Sequence, residues 1–181
     1  MGPNFLDLLI IIFILAGYFL SSLRGGSKQI FSLLVILVAF FISGRYYWNI
    51  GGVLPEKVFP ESFAGTVGFV IIFLLVFIFL TFIGRFFDTI FNLIHFGSVD
   101  RIVSIAFGII KGLVLSNIAL IILMINYPPE APLLKNSMVS PYLLPSAKKL
   151  IVLLPPAEQK EFFRMEKELK KLWKKYTREN K

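Results

Sequence analysis

Thr66–Ile83 reads TVGFVIIFLLVFIFLTFI, and from Phe69 to Phe82 its only polar side chain is the weakly polar Thr81. A soluble helix or strand interleaves apolar with polar residues at its own period, and this run does neither. At about 1.5 Å per residue, a helix of this length is what the hydrocarbon core of a bilayer requires. Three further runs share this character, Phe5–Leu23, Ile30–Tyr47 and Ile102–Ile125, and the four together take up nearly half of the 181 residues. Hydrophobic residues at 56%, aromatics at 15% and twenty Phe exceed soluble usage, and the mean hydropathy is +0.78. The fold class is therefore an all-α integral membrane protein with four transmembrane helices, at about 5–23, 30–47, 66–83 and 102–125.

Working outward, residues 1–127 read as one membrane domain, 128–156 as a Pro-rich connection and 157–181 as a basic amphipathic helical tail. The N-terminus lacks a basic n-region and a small-residue cleavage site follows nowhere nearby, so the first run is expected to be a retained helix. Between the third and fourth spans, Arg85, Asp88, Asn92 and His95 fall at i, i+3, i+7 and i+10 among apolar neighbours. That spacing predicts an amphipathic continuation of the third helix over about 85–97, bent into the interface and stopped near Gly97. Leu150–Leu154, enclosed by Pro145 and Pro155, is too short to span and is expected on a surface.

Charge sets the compartment. The turn Arg24-Gly25-Gly26-Ser27-Lys28 is purely basic, which under the positive-inside rule belongs in the cytoplasm and puts both termini outside it. From Lys148 onward eleven Lys or Arg face five Glu, so most of the net +8 lies in the tail. Phe162, Met165, Leu169, Leu172, Trp173 and Tyr176 make an apolar stripe flanked by Lys and Glu, and the basic tail is expected to meet anionic lipid headgroups or an acidic partner. Nucleic acid is not expected as a partner, because the Glu residues are interspersed and few aromatics could stack on bases.

The polar groups inside the spans are the candidates for function. Ser104, Gly108, Gly112 and Ser116 recur every fourth residue on the fourth helix, and Gly17, Ser21 and Gly25 form a shorter row on the first. Small residues at this spacing let backbones approach, as packing seams within the bundle or as homo-oligomer contacts. Lys111 sits beside the first row, where a lysine costs about 2.5–3.5 kcal/mol on insertion scales unless it pairs, snorkels or faces water. Its candidate partners are Asp7, Asp88, Asp100 or carbonyls of a neighbouring helix, and either structural pairing or a polar pathway would account for it. Asp7 is expected at the interface. His95, the only histidine, reads as a solvated side chain or a pH-sensitive contact.

With no Cys and a single His, neither a thiolate nor a zinc set is expected. No phosphate loop, nucleophile elbow or His-Glu-x-x-His helix occurs, so no cofactor and no catalytic residue is expected. Arg24-Gly25-Gly26 is explained by a glycine turn between two helices.

Several short pieces together resemble the colicin V production (CvpA) family of bacterial inner-membrane proteins. They are Asn4-Phe5-Leu6-Asp7 opening the first helix, Gly17, Arg24-Gly25, Tyr46-Tyr47, Asp100-Arg101-Ile102, and Phe107-Gly108-Ile109-Ile110-Lys111-Gly112-Leu113. The resemblance covers about residues 4–125, with Gln29 where family members often carry Glu and Ser104 in place of a usual Gly. It implies a multispanning inner-membrane protein associated with toxin production or export and envelope homeostasis, without an assigned biochemical activity. The leading expectation is a non-enzymatic membrane protein whose polar architecture rests on Asp7, Arg24, Asp100, Arg101 and Lys111. The alternative is a small oligomeric channel or transporter with Lys111 lining a polar path.

Overall fold

The computed structural model describes residues 3–22, 26–51, 61–91 and 100–179. They form helices α1 (Phe5–Ser22), α2 (Gly26–Gly51), α3 (Glu61–Phe91), α4 (Asp100–Asn126), α5 (Pro132–Lys135) and α6 (Ser140–Leu150), a 3-10 turn (Ile151–Leu153) and α7 (Pro156–Glu179). Among the described residues, three stretches are long and apolar enough to cross a membrane: Gln29–Tyr47, Ala64–Gly84 and Ile102–Asn126. A shorter apolar helix, Phe5–Ser21, joins them. Residues 85–91, read as the start of an interfacial helix, continue α3, and the rest of that expected segment, 92–97, lies outside the described residues.

The chain divides into two compact units, Ile12–Leu115 and Met1–Ile11 with Ser116–Lys181. In the first, α2 and α3 pack antiparallel. The Phe31 ring lies over Gly84 at one end, where a Cβ would collide with it, and Phe40 meets Phe69 edge-on at 5.9 Å nearer the other. Val35, Ile36, Ala39 and Phe40 are buried from α2, and Phe69 and Ile72 from α3. The other side of α3 exposes Leu74, Leu75, Ile78, Phe79 and Phe82, an apolar surface that suits acyl chains and not water. Ser43 is buried there, and its hydroxyl donates to Ala39 O at 2.6 Å, so it brings no unpaired polar group into the bundle.

The second unit replaces the expected Pro-rich connection with helices. Pro132 opens α5 and Pro141 lies in the first turn of α6, where the missing N–H has no intrahelical acceptor to serve. Pro145 lies inside α6 and removes one helical hydrogen bond, yet the helix persists because Leu143, Leu144 and Ala147 are buried. The 150–154 stretch is only half superficial: Ile151 and Leu154 are buried, while Val152 and Leu153 are exposed.

α7 docks against α5 and the 3-10 turn. Phe162, Met165, Leu169 and Trp173 recur at helical spacing and are buried. In the first turn of α7, the Gln159 side chain donates to Leu154 O at 2.8 Å, closing a carbonyl at the end of the 3-10 turn. Glu166 is buried beside this stripe and accepts from Lys148 of α6 and from Lys170, each at 2.6 Å. Burial alone would raise its pKa, but the two lysines outweigh that and hold the carboxyl below the ordinary glutamate value.

Candidate functional site

Among the described residues, buried polar side chains gather in two places that join helices distant in sequence. The first is built on the start of α1, where Asn4 is the N-cap and Asp7 the third helical residue. Asn4 Oδ1 accepts the Asp7 N–H at 3.1 Å, and Asp7 Oδ2 accepts the Asn4 N–H at 3.2 Å. This is a reciprocal capping box, and it places the carboxylate where the helix dipole favours negative charge.

The same carboxylate reaches a segment about 130 residues away. Oδ1 accepts from Ser137 Oγ and, at 3.0 Å, from the Val139 N–H, while Oδ2 accepts from the Met138 N–H at 3.1 Å. Ser137 Oγ in turn accepts from the N–H and the hydroxyl of Ser140 at 3.0 and 2.7 Å. Asn4 Nδ2 donates to Leu133 O at 2.8 Å and Pro132 O at 3.3 Å. Asp7, Ser137 and Ser140 are all buried, so water does not compete for these bonds. Deeper in the same unit, Ser116 Oγ donates to Ile10 O at 3.5 Å, and Ser146 Oγ donates to Asn117 Oδ1 at 2.9 Å.

The second cluster lies in the unit 12–115, where α1 and α4 meet backbone to backbone. A Cβ added to Gly17 would collide with Gly108 O, and one added to Gly112 would sit 2.6 Å from Ile14 Cα and Phe13 O. One added to Gly108 would strike Ser21 and Gly17 O. Only glycine admits this approach. At the end of the seam Ser21 Oγ donates to Gln29 Oε1 at 3.1 Å, Gln29 Nε2 donates to Ser21 O at 3.4 Å, and Lys111 Nζ donates to the same Gln29 Oε1. Ser21 and Gln29 are buried and Lys111 is half-buried. An amide oxygen therefore takes a hydrogen bond from a membrane-helix ammonium.

The structure thus brings together Gly17, Ser21, Gly108, Gly112 and Lys111 from the sequence candidates, and it buries Ser104 and Ser116 on the same helix row. Asp7 lies in the other cluster. Arg24, Gly25 and His95 lie outside the described residues, as do the side chains of Arg85, Asp88, Asp100 and Arg101. Sequence reasoning missed the roles of Asn4, Gln29, Ser137 and Ser140. Asn4 had a local signal, an N-cap residue three before an acid at the head of an apolar run. Gln29 and Ser137 are recognisable only from distant partners, and Ser140 only through its bonds to Ser137. Among the described residues no group of three His, Cys, Asp or Glu could hold a metal ion.

These features define a multi-pass helical membrane protein whose buried polar groups join its helices and the segment that follows them. The chain belongs to the family described as colicin V production protein, whose model matches residues 6–148. That match takes in both clusters apart from Asn4, and it ends within α6. No curated protein and no solved structure gives a significant match.

Proposed function

We propose that this chain is a non-enzymatic, four-span protein of the bacterial cytoplasmic membrane that assists toxin production or export, or envelope homeostasis. Family membership supports the process. The observation that supports a structural role for the buried polar groups is the Asp7 carboxylate, whose two oxygens take four hydrogen bonds in a buried site. A carboxylate so engaged ties a membrane helix to residues 137–139 and has no lone pair directed at a substrate. Both termini lie outside the cytoplasm in this reading, which a reporter fused after Lys181 tests directly by its periplasmic activity.

The test is a chromosomal deletion complemented with wild type or Asp7→Ala, scored for secreted peptide toxin by growth-inhibition halo and for sensitivity to detergent. Deletion is expected to change at least one readout, and Asp7→Ala to fail through lowered protein level. A deletion strain indistinguishable from its parent in both assays would sink the proposal.

The second reading, a small oligomeric channel or transporter, is favoured by one observation: Lys111 is only half-buried, on a helix where charge is costly. Reconstituted Lys111→Ala with normal abundance but altered ion flux would favour it. Equal flux from wild-type liposomes and empty ones would remove it.

A further inference from the structure

The apolar stripe of α7 is already occupied. Phe162 and Leu169 are inaccessible, and Met165 and Trp173 are buried with them inside the unit 1–11 and 116–181. What α7 turns outward is a row of cations. Lys160, Arg164, Lys167, Lys171 and Lys174 fall at i, i+4, i+7, i+11 and i+14, and all five are exposed. At 3.6 residues per turn this row runs opposite the Phe162–Leu169 stripe, over about 21 Å of helix.

Beside the row, Lys148 and Lys170 close on Glu166. Arg164 of the row pairs with Glu161. Lys160, Lys167, Lys171 and Lys174 form no salt bridge with a carboxylate among the described residues. Phe163, 38% exposed, flanks the row, and Lys160, Phe163, Arg164, Lys167 and Lys171 line one shallow surface groove together with a single carboxylate, Glu168.

We infer that α7 is an anionic-phospholipid-binding strut: its basic row lies along the phosphates of the membrane in which the same chain is embedded, while its apolar face stays on the protein. Two observations favour lipid over an acidic protein. The platform beneath α7 is fastened to the membrane helices, because Asn4 at the head of α1 donates to the carbonyls of Pro132 and Leu133 in α5. Residues 127–131 alone separate α4 from α5. The headgroups of that membrane are thus the anions in constant reach, at an effective concentration no diffusing partner matches. The mode differs from insertion of an amphipathic helix: with the apolar stripe covered, binding is electrostatic and falls with salt.

The test uses the full-length protein in nanodiscs of phosphatidylcholine, with or without phosphatidylglycerol, probed by an amine-reactive reagent and peptide mass spectrometry. Lys160, Lys167, Lys171 and Lys174 should lose labelling several-fold when phosphatidylglycerol is present and regain it at high salt, with exposed Lys149 as the reference. Neutralising all four to Gln should abolish retention of phosphatidylglycerol in native mass spectra, at about fivefold in affinity per cation removed. Burial of Trp173, read by its fluorescence, shows that α7 in the variant is still docked. Equal labelling in both nanodiscs overturns the proposal. So does protection seen only in native membrane fragments, which assigns the row to a protein partner, and so does a four-Gln variant that retains the lipid.

Discussion

Asp7→Asn replaces one carboxylate oxygen with an NH2 group of nearly the same shape, so it isolates hydrogen bonding from packing. In the native site Oδ1 serves Ser137 Oγ and the Val139 N–H, and Oδ2 serves the N–H groups of Asn4 and Met138. If the amide nitrogen takes the Oδ2 position, two backbone donors face a third donor. If it takes the Oδ1 position, the Val139 N–H is stranded. Ser137 Oγ then accepts from the new amide only by releasing one of its two bonds from Ser140. Either way about two buried groups lose a partner, at about 1–3 kcal/mol each, for a total of about 2–6 kcal/mol. Against a stability of about 5–15 kcal/mol for a typical domain, that is a large fraction. The assay is thermal unfolding of purified protein in detergent, with limited proteolysis across 128–139 reporting release of the segment. An unchanged midpoint together with unchanged proteolysis would refute the claim that this carboxylate holds the segment in place.

Other perturbations follow from the same structure. Gly108→Ala places a methyl against Gly17 O and Ser21, which forces α1 and α4 apart at a cost of about 1–3 kcal/mol; the melting midpoint should fall, and an unshifted midpoint would mean that the seam is loose. Glu166 has a depressed pKa, so its ion pairs contribute fully above its ordinary value of 4.5 and are lost as pH falls through the lower folded value. Trp173 fluorescence in a Trp48→Phe background should therefore report loosening of α7 in acid, with Glu166→Gln loosened already at neutral pH and flat below it. Gln29→Leu leaves the Lys111 ammonium and the Ser21 hydroxyl without their shared acceptor; membrane abundance should drop, and Gln29→Glu should restore it by supplying a carboxylate to the lysine.

What could be read in advance divides by the range of the physics involved. The long apolar runs announce themselves because a lipid-facing helix tolerates few polar residues at any position. The expected 30–47, 66–83 and 102–125 accordingly fall within Gln29–Tyr47, Ala64–Gly84 and Ile102–Asn126. The small-residue rows were legible too, since 3.6-residue periodicity puts Gly108 and Gly112 on one side of α4, and Gly17 and Ser21 do the same on α1. α6 was not legible. Pro141 and Pro145 read as breakers, and only the burial of Leu143, Leu144 and Ala147 explains why a helix survives them. The partners of Asp7 and Lys111 were also hidden, because they come from residues 130 and 82 positions away. Acids or backbone carbonyls were expected for Lys111, and the side-chain amide of Gln29 is among its partners, which no charge-matching argument would select.

The distance in sequence between Asp7 and Ser137 sets an order of events during synthesis. The head of α1 leaves the ribosome before the donors for its carboxylate, the first of which is made 130 residues later. At about 5–20 residues per second, the acid waits roughly 7–26 s for them. Throughout that interval only its capping bond from Asn4 is available, and the carboxylate must stay hydrated at the membrane surface. A chain that stops before Val139 never completes the site, so the last step of translation through this segment doubles as a completeness check on the membrane domain. Truncated chains lack the hydrogen bonds by which full-length ones tie the head of α1 to residues 137–139.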